Sequence, residues 1–212
     1  MRISCAGADA FLLDMSEGAF QDAIQKRIWS LARILPEQPG IKMVIPGANN
    51  LLVTFDDENH EAHDIRRMLH MLWAEASADE IAPRELVVPV TYGGAGGEDL
   101  PYVAGVTGLS ESEVVALHTG AMYRVAMIGY SPGFGYLTGV PPQLAIPRRD
   151  TPRLAVEPKS VCLGGGFTCV TPSRAPSGWH ILGKAHCPDL FDATAADPCM
   201  LRAGDIVRFV SA

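Results

Sequence analysis

Only four of the chain's 21 glycines and four of its 16 prolines precede residue 86, a division that rules out one uniform architecture. Proline removes a backbone donor and glycine frees φ, so a stretch dense in both is built from short elements and tight turns. A stretch poor in both can sustain longer helices. The imbalance predicts an N-terminal α+β unit over residues 1–84 and a loop-rich, mainly β unit over residues 85–212, with Pro83 and Pro89 at the join. With 212 residues, 48% of them hydrophobic, each unit has enough apolar side chain for a core.

In the first unit, 10–14 is an apolar run, and Ser16 can cap a helix whose Phe20, Ile24, Ile28, Leu31 and Leu35 recur at three- and four-residue steps. Pro36 and Pro39-Gly40 end that helix. Residues 41–45 and 51–55 flank Pro-Gly-Ala-Asn-Asn and read as a hairpin. A second amphipathic helix follows, with Ile65, Met68, Leu69 and Leu72 inward and His63, Arg66, Arg67 and His70 outward. Strand, helix, hairpin, helix resembles a ferredoxin-like layer. Trp29 and Trp73 are expected to pack at the domain seam.

The second unit opens with a strand at 86–90 and a glycine-rich loop, Tyr92-Gly-Gly-Ala-Gly-Gly. Two short helices come next, the second announced by the capping box Ser110-Glu-Ser-Glu113 and closed by Gly120. His118 falls in its last turn, where the helix dipole favours a cation. Short strands at 123–128, 161–163, 179–182 and 206–210, separated by Pro- and Gly-rich loops, predict a small barrel or sandwich.

A net charge of −7 excludes a general nucleic-acid binder, which needs an excess of Lys and Arg. The apolar runs are too short to span a bilayer, so a soluble, cytoplasmic protein is expected. Five cysteines with no Cys-x-x-Cys read as reduced thiols, and no metal site is expected. His60-x-x-His63 lies in an acidic stretch, Asp56 to Glu61, and reads as a solvated helix start.

Two motifs look catalytic and are not read so. Gly129-Tyr-Ser-Pro-Gly133 has the spacing of a nucleophile elbow, but Pro132 lacks the N–H that would complete the oxyanion hole. Gly178 to Lys184 has the spacing of a phosphate loop, but Trp179, His180, Ile181 and Leu182 read as a strand, and Ala185 stands where a hydroxyl should bind magnesium. One electrostatic signal remains. Between residues 148 and 184, Arg148, Arg149, Arg153, Lys159, Arg174 and Lys184 face only Asp150 and Glu157 in sequence, an excess that implies either an anionic guest or bonds to loop carbonyls.

The segments Ser131-Pro-Gly-Phe-Gly-Tyr-Leu137, Ala145-Ile-Pro-Arg-Arg-Asp-Thr-Pro-Arg153, Gly165-Gly-Phe-Thr168, Pro176-Ser-Gly-Trp179 and Leu201-Arg-Ala-Gly-Asp-Ile-Val-Arg-Phe209 resemble the bacterial 5-oxoprolinase B-subunit family. Its members are also called allophanate hydrolase subunit 1 or sporulation kinase A inhibitor. The resemblance covers the C-terminal unit and, more faintly, the N-terminal one. It implies a cyclophilin-like β-barrel after the α+β unit, and a component that acts with 5-oxoprolinase subunits C and A to cleave 5-oxoproline to glutamate at the expense of ATP. ATP would be bound on, or shared with, a partner, and the isolated chain would be inactive. The alternatives it implies are an inhibitor of a sporulation-type histidine kinase and a carboxyltransferase-type component of urea or allophanate metabolism. Carried over residue by residue, the polar positions are His118, Tyr136, Arg148, Arg149, Arg153, Thr168 and Trp179, as a surface for a small-molecule substrate or a partner subunit. No catalytic residue is assigned. The chain departs from the family at Phe167, usually Gln, at Thr171, often Tyr, at Gly135, commonly Pro, and in the 47–50 turn.

Overall fold

The computed structural model describes residues 1–15, 18, 20–77 and 83–212. The helix cap expected at Ser16 lies outside the described residues. The backbone divides into two compact units, Met1–Ala82 and Pro83–Ala212.

The first unit contains β1 (Arg2–Cys5), β2 (Ala10–Asp14), α1 (Asp22–Ile34), β3 (Ile41–Pro46), β4 (Asn50–Phe55) and α2 (Ala62–Glu75). Its sheet is antiparallel in the order β1-β2-β4-β3. Alternation along β4 buries Leu51, Val53 and Phe55, while the helical stripes bury Ile28, Leu31, Ile65 and Leu69 against them. β1 carries one inward apolar residue, Ile3, too little for a periodic signal. In a ferredoxin-like layer the strand beside the first comes after the second helix; here that place beside β2 is taken by a strand from the start of the chain. Trp73 packs on this unit's own core, with the Arg27 guanidinium 4.1 Å from its ring centroid.

The second unit contains β5 (Glu85–Tyr92), α3 (Leu100–Thr107), α4 (Glu111–Gly120), β6 (Tyr123–Ile128), β7 (Gly135–Thr138), β8 (Arg153–Val156), β9 (Ser160–Gly164), β10 (Phe167–Val170), β11 (Ala175–Ser177), β12 (His180–Ala185) and β13 (Ile206–Ser211). Seven strands close a barrel in the order β10-β7-β6-β13-β5-β12-β9, and β8 and β11 form a separate two-stranded ribbon. Closure leaves no sheet edge in the barrel. Val90, Tyr123, Val125, Leu137, Val161 and Phe209 fill its interior. The capping box at α4 forms as read: the Glu113 N–H donates to Ser110 Oγ at 3.3 Å, and the Ser110 N–H donates to Glu113 Oε2 at 2.8 Å. The stretch with phosphate-loop spacing is strand β12, whose Lys184 ammonium donates to the Pro158 carbonyl.

Candidate functional site

Most of the cations between residues 148 and 184 are answered by acids and carbonyls of the barrel unit, Asp99 and Asp189 from outside the stretch and Glu157 and the Pro158 carbonyl from within it. Asp99, at the N-terminus of α3, sits between two arginines: Arg153 donates to both its oxygens at 2.8 Å, and Arg149 Nη1 donates to Oδ1 at 3.0 Å. The Ile181 N–H adds a bond of 2.8 Å. Burial raises the Asp99 pKa, but the hydrogen bonds from Arg153 and the Ile181 amide, with the charges of Arg153 and Arg149, outweigh it and hold the carboxyl below its ordinary value. Lys159 pairs with Asp189 at 2.9 Å, Arg174 with Glu157 at 2.9 Å, and Lys184 with a carbonyl. Arg148 alone of the six has no hydrogen-bonding or ionic partner among the described residues.

Arg148 reaches a cleft of about 210 Å³. Phe134, Tyr136 and Trp179 build its aromatic wall, each ring meeting the others edge to face with centroids 4.9 to 5.9 Å apart. The Arg148 guanidinium lies 5.4 Å from the Trp179 centroid, a cation–π contact, and its stem runs over Gly164, where a Cβ would stand 3.3 Å from Arg148 Cγ. The loop that carries Arg148 is fixed along its length. Gly165 N–H donates to Ile146 O at 2.9 Å, His180 Nε2 donates to Pro147 O at 3.1 Å, and Arg149 N–H donates to Gly178 O at 2.7 Å. On the opposite side, Tyr130 takes φ 70° and donates its hydroxyl to Pro176 O at 3.0 Å, tying the 129–134 turn to β11. Burial raises the Tyr136 pKa, with the Arg148 charge acting against it, so the phenol stays protonated at neutral pH.

Tyr136, Arg148, Arg149 and Trp179 thus share one cleft, whereas His118 and Thr168 do not line it. Both of those are buried within the barrel. Thr168 Oγ1 donates to Cys162 O at 2.9 Å, so it can only accept from His118 Nε2–H at 3.1 Å; that fixes the tautomer, and Nδ1 accepts from the Tyr92 hydroxyl at 2.7 Å. The ring stacks on Phe209 at 4.7 Å. Burial pushes the His118 pKa down to about 3, so this residue is neutral rather than the dipole-paired cation its helical position suggests. Arg153 does not line the cleft either: it clamps Asp99 and pairs with Glu98 at 3.1 Å. Of the departures from the family pattern, Phe167 packs edge-on to Tyr136 outside the cleft lining, while Thr171 lines the cleft with its hydroxyl donated to Glu157 O at 2.7 Å.

The profile of the carboxyltransferase domain, subdomain C and D, matches residues 1–201. Over 188 residues the chain is 45% identical to the 5-oxoprolinase B subunit of Escherichia coli O157:H7, covering 89% of this chain and 86% of that protein. The chain belongs to the 5-oxoprolinase B-subunit family. Among solved structures, TTHA0988 superposes with a TM-score of 0.82 at 34% identity; the match covers 96% of this chain but 39% of TTHA0988. The urea carboxylase of Kluyveromyces lactis shares the fold, with a TM-score of 0.82 at 17% identity over 99% of this chain and 21% of that one.

In this member of the family, Asp99 is the residue that reading the sequence missed. Its signal was faint: an acid just before an apolar helix reads as an ordinary cap. The two arginines it binds lie 50 and 54 residues further along the chain.

Proposed function

We propose that this chain is the B subunit of an ATP-dependent 5-oxoprolinase, acting in the cytoplasm with subunits C and A, and that the Arg148 cleft of its cyclophilin-like barrel contributes to binding the small-molecule substrate. The observation that carries this reading is the 45% identity to a 5-oxoprolinase B subunit across most of both chains. The cleft supports it: a cleft of about 210 Å³ is smaller than the ~300–1,000 Å³ of typical drug-sized sites, so its guest is small.

The residues present do not fit ATP. In the Gly93–Gly97 turn the Gly93 N–H donates to Leu182 O at 3.0 Å and the Gly97 N–H to Gly94 O at 3.2 Å, so these two amides are not free to cradle a phosphate. Lys184 is committed to a carbonyl, and the cleft holds a single unpaired cation. We therefore assign ATP to a partner subunit.

The test is reconstitution. Co-purified with subunits C and A, this chain should support ATP-dependent conversion of 5-oxoproline to glutamate, and alone it should support none. A complete complex without turnover would overturn the reading. The match to the carboxyltransferase profile favours a second reading, a component that transfers carboxyl groups to urea-like substrates. Carboxylation of urea by a complex with a biotin-carrying partner would favour that one instead.

A further inference from the structure

The cleft presents one unpaired positive charge, an aromatic wall, and hydroxyls that include those of Tyr136 and Ser131, the latter buried and without a hydrogen-bond partner among the described residues. The Arg148 guanidinium carbon lies 5.4 Å from the Trp179 ring centroid, and its N–H groups have no hydrogen-bond partner among the described residues, so they can donate two parallel bonds to a carboxylate. The Tyr136 hydroxyl has no hydrogen-bond partner among the described residues, and it faces the same space. Arg149 also lines the cleft, but its charge is committed to Asp99. Pro152, Pro172 and Pro176 add apolar surface without donors. No Asp or Glu lines the cleft among the described residues.

We propose that this cleft recognises a compact monocarboxylate whose ring is otherwise uncharged, through Arg148 with Tyr136 and Trp179 beside it, and that it discriminates against the ring-opened amino acid. The proposal rests on the 5-oxoprolinase reading and adds to it a direction of preference. A five-membered lactam carboxylate brings one negative charge, which Arg148 answers, and a flat, weakly polar ring that suits the aromatic wall. Opening the lactam creates an ammonium and a second carboxylate. The ammonium would find no acid in the lining and the second carboxylate no second free cation, so each new charge loses part of its hydration on entering the cleft and gains no ionic partner there. The lining thus favours substrate over product and helps the product leave. Asp99 is a positioning residue here, since it binds Arg149, next to Arg148 in the loop, without lining the cleft itself.

The experiment is calorimetric titration of the complete complex, and of the full chain alone, with 5-oxoproline, glutamate and 2-pyrrolidinone, which is the same ring without the carboxylate. Wild type should bind 5-oxoproline at least about tenfold more tightly than either of the others. Arg148→Ala and Arg148→Lys should each lose about ten- to a hundredfold in affinity for 5-oxoproline, because lysine keeps the charge but lacks the fork, and neither should change 2-pyrrolidinone binding. Thermal melts of both variants should match wild type, as the side chain is exposed. Glutamate binding as tightly as 5-oxoproline would overturn the proposal, as would wild-type affinity in both variants or no lactam binding by a complex that turns over. Steady-state kinetics separates the two levels. An active complex whose KM for 5-oxoproline is unmoved by Arg148→Ala sinks the proposal and spares the family role, whereas an inactive wild-type complex sinks that role and the proposal with it.

Discussion

Nothing in the last turn of α4 announces that His118 will be neutral; the Tyr92 hydroxyl, Thr168 and the face of Phe209, all supplied by barrel strands, decide it. The consequence is measurable. A histidine whose folded pKa is pushed down to about 3 from 6.5 leaves the folded state with fewer protons than the unfolded one across that window. Stability is therefore full above pH 6.5 and is lost as the pH falls toward 3, with a slope of up to about 1.4 kcal/mol per pH unit. His118→Gln, which keeps one donor and one acceptor, should cost about 1–3 kcal/mol at pH 7.5 and flatten the fall in melting temperature between pH 6 and 4. An unchanged slope would mean that His118 is not the titrating group. Asp99 acts in a different window. Its folded pKa is depressed, so its contribution is complete above the ordinary carboxylate range and disappears only as the pH falls through the lower, folded value. Asp99→Ala leaves Arg149 and Arg153 without their shared carboxylate and should destabilise by about 3 kcal/mol, somewhat less than for a fully buried pair because both arginines keep some contact with water. Urea melts at pH 7.5 would show it.

Strand β12 reads as a strand from the alternation of Trp179 to Leu182, yet the reason for its glycine lies in its neighbours. The register against β9 shifts between Ile181 and Gly183, and a Cβ at Gly183 would stand 2.6 Å from Thr91 O and 2.8 Å from Val90 Cγ1. Those neighbours belong to β5, so the clash would fall on a strand that closes the barrel. Gly183→Ala should cost about 2 kcal/mol or more by overpacking, where an exposed strand glycine would gain from the same change; chemical denaturation with no loss of stability would rule this out. In the first unit the hairpin turn has a comparable task. Asn49, at φ 55°, accepts the Gln21 N–H at 2.7 Å through its side chain and donates back to Gln21 O at 2.9 Å, while its own N–H donates to Gln25 Oε1 at 2.7 Å. The turn thereby caps the start of α1 from another element, which a scan of the residues next to the helix has no means of finding.

At the scale of the molecule, the barrel closes through a parallel pair between β5 and β13, strands more than a hundred residues apart, and Arg84 fastens it by donating to Asp205 at 3.0 and 2.5 Å. A fragment of residues 83–212 keeps that pair and should melt cooperatively by itself. A fragment of residues 87–212 loses Arg84, and with it the Ile206 N–H to Arg84 O bond, and should be less stable by about 2–4 kcal/mol. Circular dichroism melts would decide, and failure of the longer fragment to fold would refute an independent second unit. The hydrophobic stripes of α1 and α2, the α4 capping box and the strands β4, β5 and β13 were legible because each is a local pattern repeated over several residues. β1, β7, β8 and β11 were not, since three or four residues carry too few repeats to show a period. The sequence by itself also determined that a cluster of arginines follows Pro147 and that aromatic residues flank it at positions 134, 136 and 179. Only the tertiary structure decided which cation is unpaired. Charge neutralisation acts through space over a few ångströms, and the partner of Arg149 and Arg153 arrives from a helix N-terminus some fifty residues earlier in the chain, leaving Arg148 alone at the cleft.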